Sequence, residues 1–240
     1  FEITGKLKAS RNSLIVKVNN QRLKNGLPGL GFDWFNYGGI TRDVRLIETG
    51  ETYIEDYAVQ LKKGSLDIVS GWIKLNGSHP QQAVSIRIPE LNLHYRTSTD
   101  SNGFARVEFS SAFSLWSPQN PKRYKVIIAG ETDSIAESIG FRSIEVKEGV
   151  VLLNKKKIFL KGINLQEENP YKGRRAYSEE DALILLKAAR ELGCNLVRLS
   201  HYPYNETIVK TAEKMGLMIW SEIPVYQHID FEDSLVPVKM

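Results

Sequence analysis

The stretch NLVRLSHYPYNETIVKTAEKMGLMIW, residues 195–220, decides the fold of this chain. An apolar run ends abruptly in Arg198, Ser200, His201 and two tyrosines, a helical pattern follows at once, and another apolar run begins just after Gly216. Short apolar runs bounded by turn signals read as strands, and the 3.6-residue spacing between them reads as a helix. Working outward, KIFLKGIN (157–164) supplies a preceding strand and SEEDALILLKAARELG (178–193) a preceding helix. The region after residue 145 is therefore βαβαβ, which demands a parallel sheet.

Local chemistry supports the helices. Ser178 followed three residues later by Asp181 forms a capping arrangement, Leu183, Leu185, Leu186, Ala189 and Leu192 make an apolar stripe, and Gly193 can close the end. In the second helix Asn205 or Thr207 starts the run, Ile208, Val209, Ala212 and Met215 form the inner face, and Gly216 ends it.

Residues that follow the strands of a parallel sheet lie at its C-terminal rim, where α/β proteins place their sites. Three such rims occur: Asn164, Gln166, Glu167 and Glu168; then Arg198, His201, Tyr202 and Tyr204; then Trp220, Glu222 and Tyr226, with His228 beyond. Aromatic faces that stack on sugar C–H surfaces, beside carboxylates and an imidazole that take hydroxyls, suit a carbohydrate. Each group also has a structural reading. His201 can be a satisfied strand-end histidine, Glu222 a cap or ion-pair partner, Glu167 and Glu168 solvated loop carboxylates, and Trp220 a core residue.

Before residue 145 the pattern is different. SLIVKVNN, DVRLIE, YIEDYAVQLK, SLDIVSGWIKLN, AVSIRIPE, FARVEFS and RYKVIIAG are short β-rich runs separated by Gly, Asn, Pro and Ser turns, the signature of an antiparallel sandwich. A turn-rich passage from Gln21 to Gly39 interrupts the first sheet, whereas Glu51 to about Arg142 holds some seven runs, as an immunoglobulin-like sandwich requires. The expected organisation is residues 1–50, 51–143 and 144–240. The middle segment should be an independent sandwich without a sugar role, with Trp72 and Trp116 in its core or at an interface.

Composition narrows the function classes. The 240 residues are 42% hydrophobic, enough for one large domain or several small ones, and the net charge of +4 comes from scattered lysines. Lys155, Lys156 and Lys157 are the only tight basic cluster. Without interleaved aromatics or a basic helix face, they read as a solvated turn and not a nucleic-acid patch. No apolar run approaches the ~18 residues of a membrane span. A soluble protein is expected, in the cytoplasm, the periplasm or outside the cell. The single cysteine, Cys194, excludes internal disulfides and reads as buried packing. Phe1 opens the chain inside a strand-like pattern, as in a processed or cut polypeptide.

Taken in order, GFDWFNYGGITRDVRLI (31–47), LWSPQNPKRYKVIIAG (115–130), IGFRSIEVKEG (139–149), KKKIFLKGIN, LGCNLVRLSHYPY and LMIWSEIP resemble glycoside hydrolase family 2, which includes β-galactosidases, β-glucuronidases and β-mannosidases. The resemblance implies the C-terminal part of a sugar-binding jelly roll, an immunoglobulin-like β-sandwich and the first βα units of a TIM (β/α)8 barrel. It implies a retaining exo-β-glycosidase acting on a terminal β-linked sugar. FDWFNYGG and SHYPY stand somewhat nearer the glucuronidase side. A non-catalytic carbohydrate-binding or scaffold protein built from the same modules is the alternative, and an Asn-Glu pair after the fourth barrel strand would decide for the enzyme.

The resemblance also implies residue roles. Asp33 corresponds to a jelly-roll aspartate that hydrogen-bonds the sugar, and His201 to the histidine that contacts sugar hydroxyls. Asn164, Gln166 and Tyr202 are further candidate sugar contacts. Arg198 corresponds to the arginine that holds the nucleophile carboxylate, and Glu222 to a supporting acidic position. The acid/base and nucleophile glutamates are expected beyond Met240, so the chain alone is expected to be inactive. Gln166 stands where many relatives carry histidine. Tyr226-Gln227-His228 stands where a Glu-x-His pair holds magnesium, so half that site is missing and no cofactor or metal is expected. The expected partner is a carbohydrate, with no nucleic acid and no membrane, and a homo-oligomer is expected.

Overall fold

The computed structural model describes residues 1–76, 81–226, 229 and 232–239. It contains two compact units, Val44–Ile223 and Phe1–Asp43 with Pro224–Met240. In the larger unit seven strands fill residues 53–139: β1 (Tyr53–Leu61), β2 (Ile68–Asn76), β3 (Ala83–Ile88), β4 (Leu93–Ser98), β5 (Phe104–Ser110), β6 (Tyr124–Ala129) and β7 (Ser134–Ile139). They form two antiparallel sheets, ordered β1-β2-β5 and β4-β3-β6-β7. Alternate residues of both sheets, Val69 and Ile73 on one and Ile86 and Ile128 on the other, are wholly buried in one shared core. That is the period-2 pattern of a sandwich. LHYRTS and SIAESI, the two edge strands β4 and β7, lack the apolar run that makes central strands legible.

A three-stranded meander follows: β8 (Ile144–Lys147), β9 (Val150–Leu153) and β10 (Lys156–Lys157). Its second turn places Asn154 and Lys155 at φ of 52° and 65°, the double left-handed conformation of a tight hairpin turn. Lys155, Lys156 and Lys157 are all exposed, as a solvated turn requires.

The parallel sheet consists of β11 (Gly162–Leu165), β14 (Leu196–Leu199) and β15 (Met218–Ser221), with β14 in the centre. A short hairpin, β12 (Glu168–Asn169) and β13 (Arg174–Arg175), follows β11. Helix α1 (Glu179–Glu191) starts in a full capping box between Ser178 and Asp181, and α2 (Glu206–Lys214) starts on Asn205, whose side chain accepts from Thr207 N. The buried faces differ from the sequence expectation. In α1 they are Asp181, Ala182, Leu186 and Ala189, while Leu192 is largely exposed; in α2 they are Ile208, Thr211 and Ala212, while Val209 points outward. The two helices pack on each other, and the buried positions combine small residues with one large apolar residue per helix, Leu186 and Ile208. Cys194 is buried, as packing.

One face of the parallel sheet, Val197 and Leu199, is fully buried. Along the other, Gly162, Leu196 and Met218 share one register level and Asn164, Arg198 and Trp220 the next. Leu196 and Met218 pack on Trp116, Leu153, Ile158 and Leu160, so the sandwich and the meander close this lower level.

The seam with the sandwich is specific. Trp116 is wholly buried and its Nε1–H donates to the Glu213 carbonyl at 2.9 Å. Arg142 lies over the indole ring, 4.5 Å from its centre, and reaches Glu213 Oε1 at 2.6 Å. A Cβ at Gly140 would come within 2.6 Å of Trp116 Cδ1. Phe141, between them, is buried in the sandwich core. Glycine, phenylalanine and arginine of GFRSIEV are thus each required by a contact.

In the smaller unit, Phe1–Asp43 carries no strand, and the first strand of the chain is β1. The strands expected in SLIVKVNN and DVRLIE do not form. Leu14, Ile15, Leu46 and Ile47 are exposed, because a strand exists only beside a partner backbone and these runs have none among the described residues. Helix α3 (Leu235–Lys239) lies in the same unit as residues 1–43. No helix among the described residues is long and apolar enough to cross a membrane.

Gly193 and Gly216 both end helices at positive φ, 76° and 74°, but a Cβ meets nothing at Gly193 and would sit 2.5 Å from the Pro118 carbonyl oxygen at Gly216. Gly193→Ala should therefore cost about 1 kcal/mol from backbone strain alone, and Gly216→Ala more than that. Urea unfolding of the two variants side by side checks the difference.

Candidate active site

The rim of the parallel sheet is built from its strand ends outward. Arg198 leaves β14 at the level of Asn164 and Trp220. Its Nε donates to Glu222 Oε1 at 2.6 Å and its Nη1 to Asn164 Oδ1 at 3.5 Å. His201 Nδ1 lies 3.2 Å from the other oxygen of Glu222 and 3.5 Å from Arg198 Nη2. His201 and Glu222 are mostly sheltered and Arg198 half so, while Asn164 and Trp220 are exposed. Residues from three different strand ends therefore meet in one network.

A second, buried network lies under it. Glu167 is only 1% exposed; Arg175 holds its Oε2, with Nε at 2.8 Å and Nη2 at 2.6 Å, and Asn205 N donates to its Oε1. The expectation that Glu167 is a solvated loop carboxylate fails here. The β12–β13 hairpin folds back so that a guanidinium meets it, and a buried carboxylate persists only when so paired. Glu168 is half-buried on β12.

Tyr202 is buried: its ring stacks on Tyr204 with centres 5.2 Å apart, Arg175 lies over it, and its hydroxyl donates to Gln166 Oε1 at 3.4 Å. Burial raises its pKa above the ordinary tyrosine value. Tyr204 is displaced further upward, first by burial and then by Tyr202 and Glu167; its hydroxyl sits between the carbonyls of Leu165 and Ser200 and so ties two strand ends. The Ser200–His201 peptide is cis.

Asp181 fixes the start of α1. It accepts from Arg174 Nη1 at 2.8 Å and Nη2 at 3.1 Å, from Asn169 Nδ2 at 2.6 Å, and from the backbone of Tyr177 and Ser178. Burial opposes its ionisation, but these donors outweigh it and hold the carboxyl far below the usual aspartate range. The sequence signalled Asp181 only as a cap; its pairing with Arg174 depends on the hairpin.

In the smaller unit Asp33 is exposed and accepts from the Tyr226 hydroxyl at 3.0 Å. Trp34 meets the Tyr226 ring edge-on at 5.3 Å, and Phe32 packs tilted on Trp34 at 5.2 Å. Asn20 and Asn36 exchange side-chain to backbone hydrogen bonds, which fix FDWFNYGG as a loop without strand pairing. Gln227 and His228 lie outside the described residues. Among the described residues no three His, Cys, Asp or Glu side chains gather as a metal ligand set would.

A parallel βαβαβ sheet with a polar C-terminal rim is the unit from which both TIM barrels and doubly wound sheets are built. Residues 144–233 match the model of the glycosyl hydrolases family 2 TIM barrel domain. The chain is 29% identical over 244 residues to a β-galactosidase large subunit of Latilactobacillus sakei, covering 95% of this chain and 38% of that one. It is 29% identical over 214 residues to a β-glucuronidase of Streptococcus agalactiae, covering 86% and 35%. Among solved structures it superposes on a β-glucuronidase of Ruminococcus gnavus with a TM-score of 0.69 and 28% identity, covering 87% of this chain and 36% of that one. A β-glucuronidase of Bifidobacterium dentium shares the fold at a TM-score of 0.79 and 19% identity, over 92% of this chain and 44% of that one. The chain belongs to glycoside hydrolase family 2, and it spans little more than a third of the length of these two curated relatives.

The Asp181 pairing carries a pH signature. A carboxyl whose folded pKa lies below its unfolded value stabilises fully above the unfolded value, about pH 4, and loses that contribution as pH falls toward the folded value. Asp181→Asn should lower stability at neutral pH, since it removes the charge that Arg174, Asn169 and two backbone amides meet. The gap to the wild type should narrow below about pH 4. Denaturant midpoints of both proteins across this range check it.

Proposed function

We propose that the intact protein is a retaining exo-β-glycosidase that hydrolyses a terminal β-linked sugar, of β-galactosidase or β-glucuronidase type. This chain contributes sugar contacts and not the reacting carboxylates. The single observation that carries the reading is the Arg198–Glu222–His201 network at the C-terminal strand ends of a family 2 sheet. Asp33, His201, Asn164 and Gln166 are assigned as sugar contacts, Asp33 on the strength of the FDWFNYGG resemblance and its tyrosine anchor. Tyr202 acts through Gln166, which its hydroxyl holds. The modular organisation inferred from the sequence, a jelly-roll tail, a sandwich and the opening of a barrel, belongs to the same reading.

Retention needs two carboxyl groups about 5–5.5 Å apart, one to protonate the leaving oxygen and one to attack the anomeric carbon. Glu167 is unsuited to either role. It is buried, and its oxygens are occupied by Arg175 and Asn205. Glu222 is tied by both oxygens to Arg198 and His201, which suits a support better than a nucleophile.

Aryl β-galactoside, β-glucuronide, β-mannoside and β-glucoside substrates test the activity of the intact protein; a panel left wholly uncut overturns it. Asp33→Ala and His201→Ala should each lower kcat/KM with little change in melting temperature, because a hydrogen bond that strengthens in the transition state is lost without disturbing the core. Parallel loss of stability and rate would mark a structural role instead. The 240-residue chain alone should give no turnover; turnover abolished by Glu222→Gln would overturn the assignment of the reacting pair elsewhere.

A further inference from the structure

We propose that the cleft at the N-terminal side of the parallel sheet is a docking site for an extended acidic peptide segment of a partner protein. The inference is independent of the glycosidase reading. The cleft has a volume of about 740 Å3 and lies wholly within Val44–Ile223. Lys161 and Asn195, which line it, immediately precede β11 and β14, so it lies away from the rim that carries Arg198, His201 and Glu222. Its apolar lining is aliphatic, with Leu66, Leu115 and Ile158 half-buried and Leu153 buried. Phe159 joins them and is 75% exposed.

Charge decides the class of occupant. Lys156, Lys157 and Lys161 line the cleft, are exposed and form no ion pair among the described residues, and no described Asp or Glu lines it. Lys155, by contrast, is paired with Glu145 at 3.2 Å. Three uncompensated ammonium groups around an aliphatic lining favour carboxylates set between aliphatic side chains. Two amides of the lining are already committed to the fold. Asn154 accepts from Ser143 N and donates to the Trp116 carbonyl, both at 3.0 Å; Asn195 accepts from Lys161 N at 2.8 Å and donates to the Phe159 carbonyl at 2.9 Å. A glycan would set hydroxyls against the aliphatic lining, whereas leucine or isoleucine of a peptide gains by burial there. Asn195 also pins the backbone at Phe159 and Lys161, so the exposed ring stands on a fixed segment and little order is lost on binding. β10 has a strand on one side only, and lysines on such an edge discourage ordinary pairing. A strand that carries carboxylates meets the same lysines as partners, which suits binding by strand addition.

A random-peptide phage library selected on the intact protein tests the assignment. Enriched sequences should combine Asp or Glu with Leu, Ile or Val, and synthetic copies should bind with an affinity that falls as salt rises. Lys156→Glu with Lys157→Glu should weaken them roughly tenfold, and Phe159→Ala should weaken them as well. Melting temperatures should stay unchanged, because all three side chains are exposed. Lys156→Arg with Lys157→Arg should keep the binding. A selection without enrichment overturns the proposal, as do enriched peptides that lack acidic residues or bind both weakened variants as well as the wild type. Oligogalacturonate supplies the same charge on a glycan; if it binds through these lysines and no peptide does, the cleft is a glycan site and the proposal fails. Should the charge-reversed protein fail to fold, Phe159→Ala and the salt dependence decide.

Discussion

Trp116 leaves the sandwich wholly buried, donates its indole N–H to the last turn of α2 and lies beneath Arg142, whose guanidinium is paired with Glu213 on that helix. The packing of the parallel sheet and α2 against the sandwich follows from this seam. Truncating a tryptophan in such a site typically costs about 3–5 kcal/mol, a large part of the ~5–15 kcal/mol that keeps a domain folded. The ring also fills the space below Leu196 and Met218, so the same side chain closes the lower level of the parallel sheet and fixes the helix beside it. The demand reaches back into the sequence. Gly140 must lack a side chain because the indole occupies its place, and Gly216 must lack one because Pro118, two residues past the tryptophan, does the same.

From the seam the constraint runs along α2 to its N-terminus. Asn205 caps the helix, and its backbone N–H donates to Glu167, which Arg175 holds from the hairpin. Tyr204 pins the ends of β11 and β14 together. The polar residues that follow the strands therefore sit on a platform fixed by buried ion pairs and backbone hydrogen bonds, with Arg198, His201 and Glu222 above it. Breaking a buried pair is costly because the orphaned charge stays behind, which makes these pairs rigid supports even where their net contribution is small.

Local signals made part of this legible in the sequence. The βαβαβ order, the Ser178–Asp181 box, the Asn205 cap and the rim position of Arg198, His201 and Glu222 each depend on residues within one turn or one strand. What could not be read depended on partners far along the chain. Val209 and Leu192 have apolar side chains on a helical period, yet are exposed, while Asp181, Ala182 and Ala189 of α1 and Thr211 and Ala212 of α2 are buried. Glu167 looks like any loop carboxylate until the hairpin returns Arg175 to it. SLIVKVNN has the composition of a strand, but composition cannot supply the neighbouring backbone that makes one. Edge strands β4 and β7 are the reverse case, poor in apolar residues and ordered by their neighbours.

The carboxylates around the rim show how one residue type takes different roles by partner. Asp181 receives five hydrogen bonds, two of them from backbone amides and two from Arg174, so its oxygens are committed to the start of α1. Glu167 is committed as fully, to Arg175 and to the backbone that opens α2. Both are buried and both answer to backbone groups, which do not move independently of the fold. Glu222 differs on each count: it is partly accessible, and the partners seen on it are two side chains, Arg198 and His201. A charge paired only with side chains can transmit a change in one partner to the other, whereas a charge paired with backbone amides cannot without moving a helix. That difference sets Glu222 apart as the rim carboxylate held by side chains, and leaves Asp181 and Glu167 to hold the backbone of the platform beneath it.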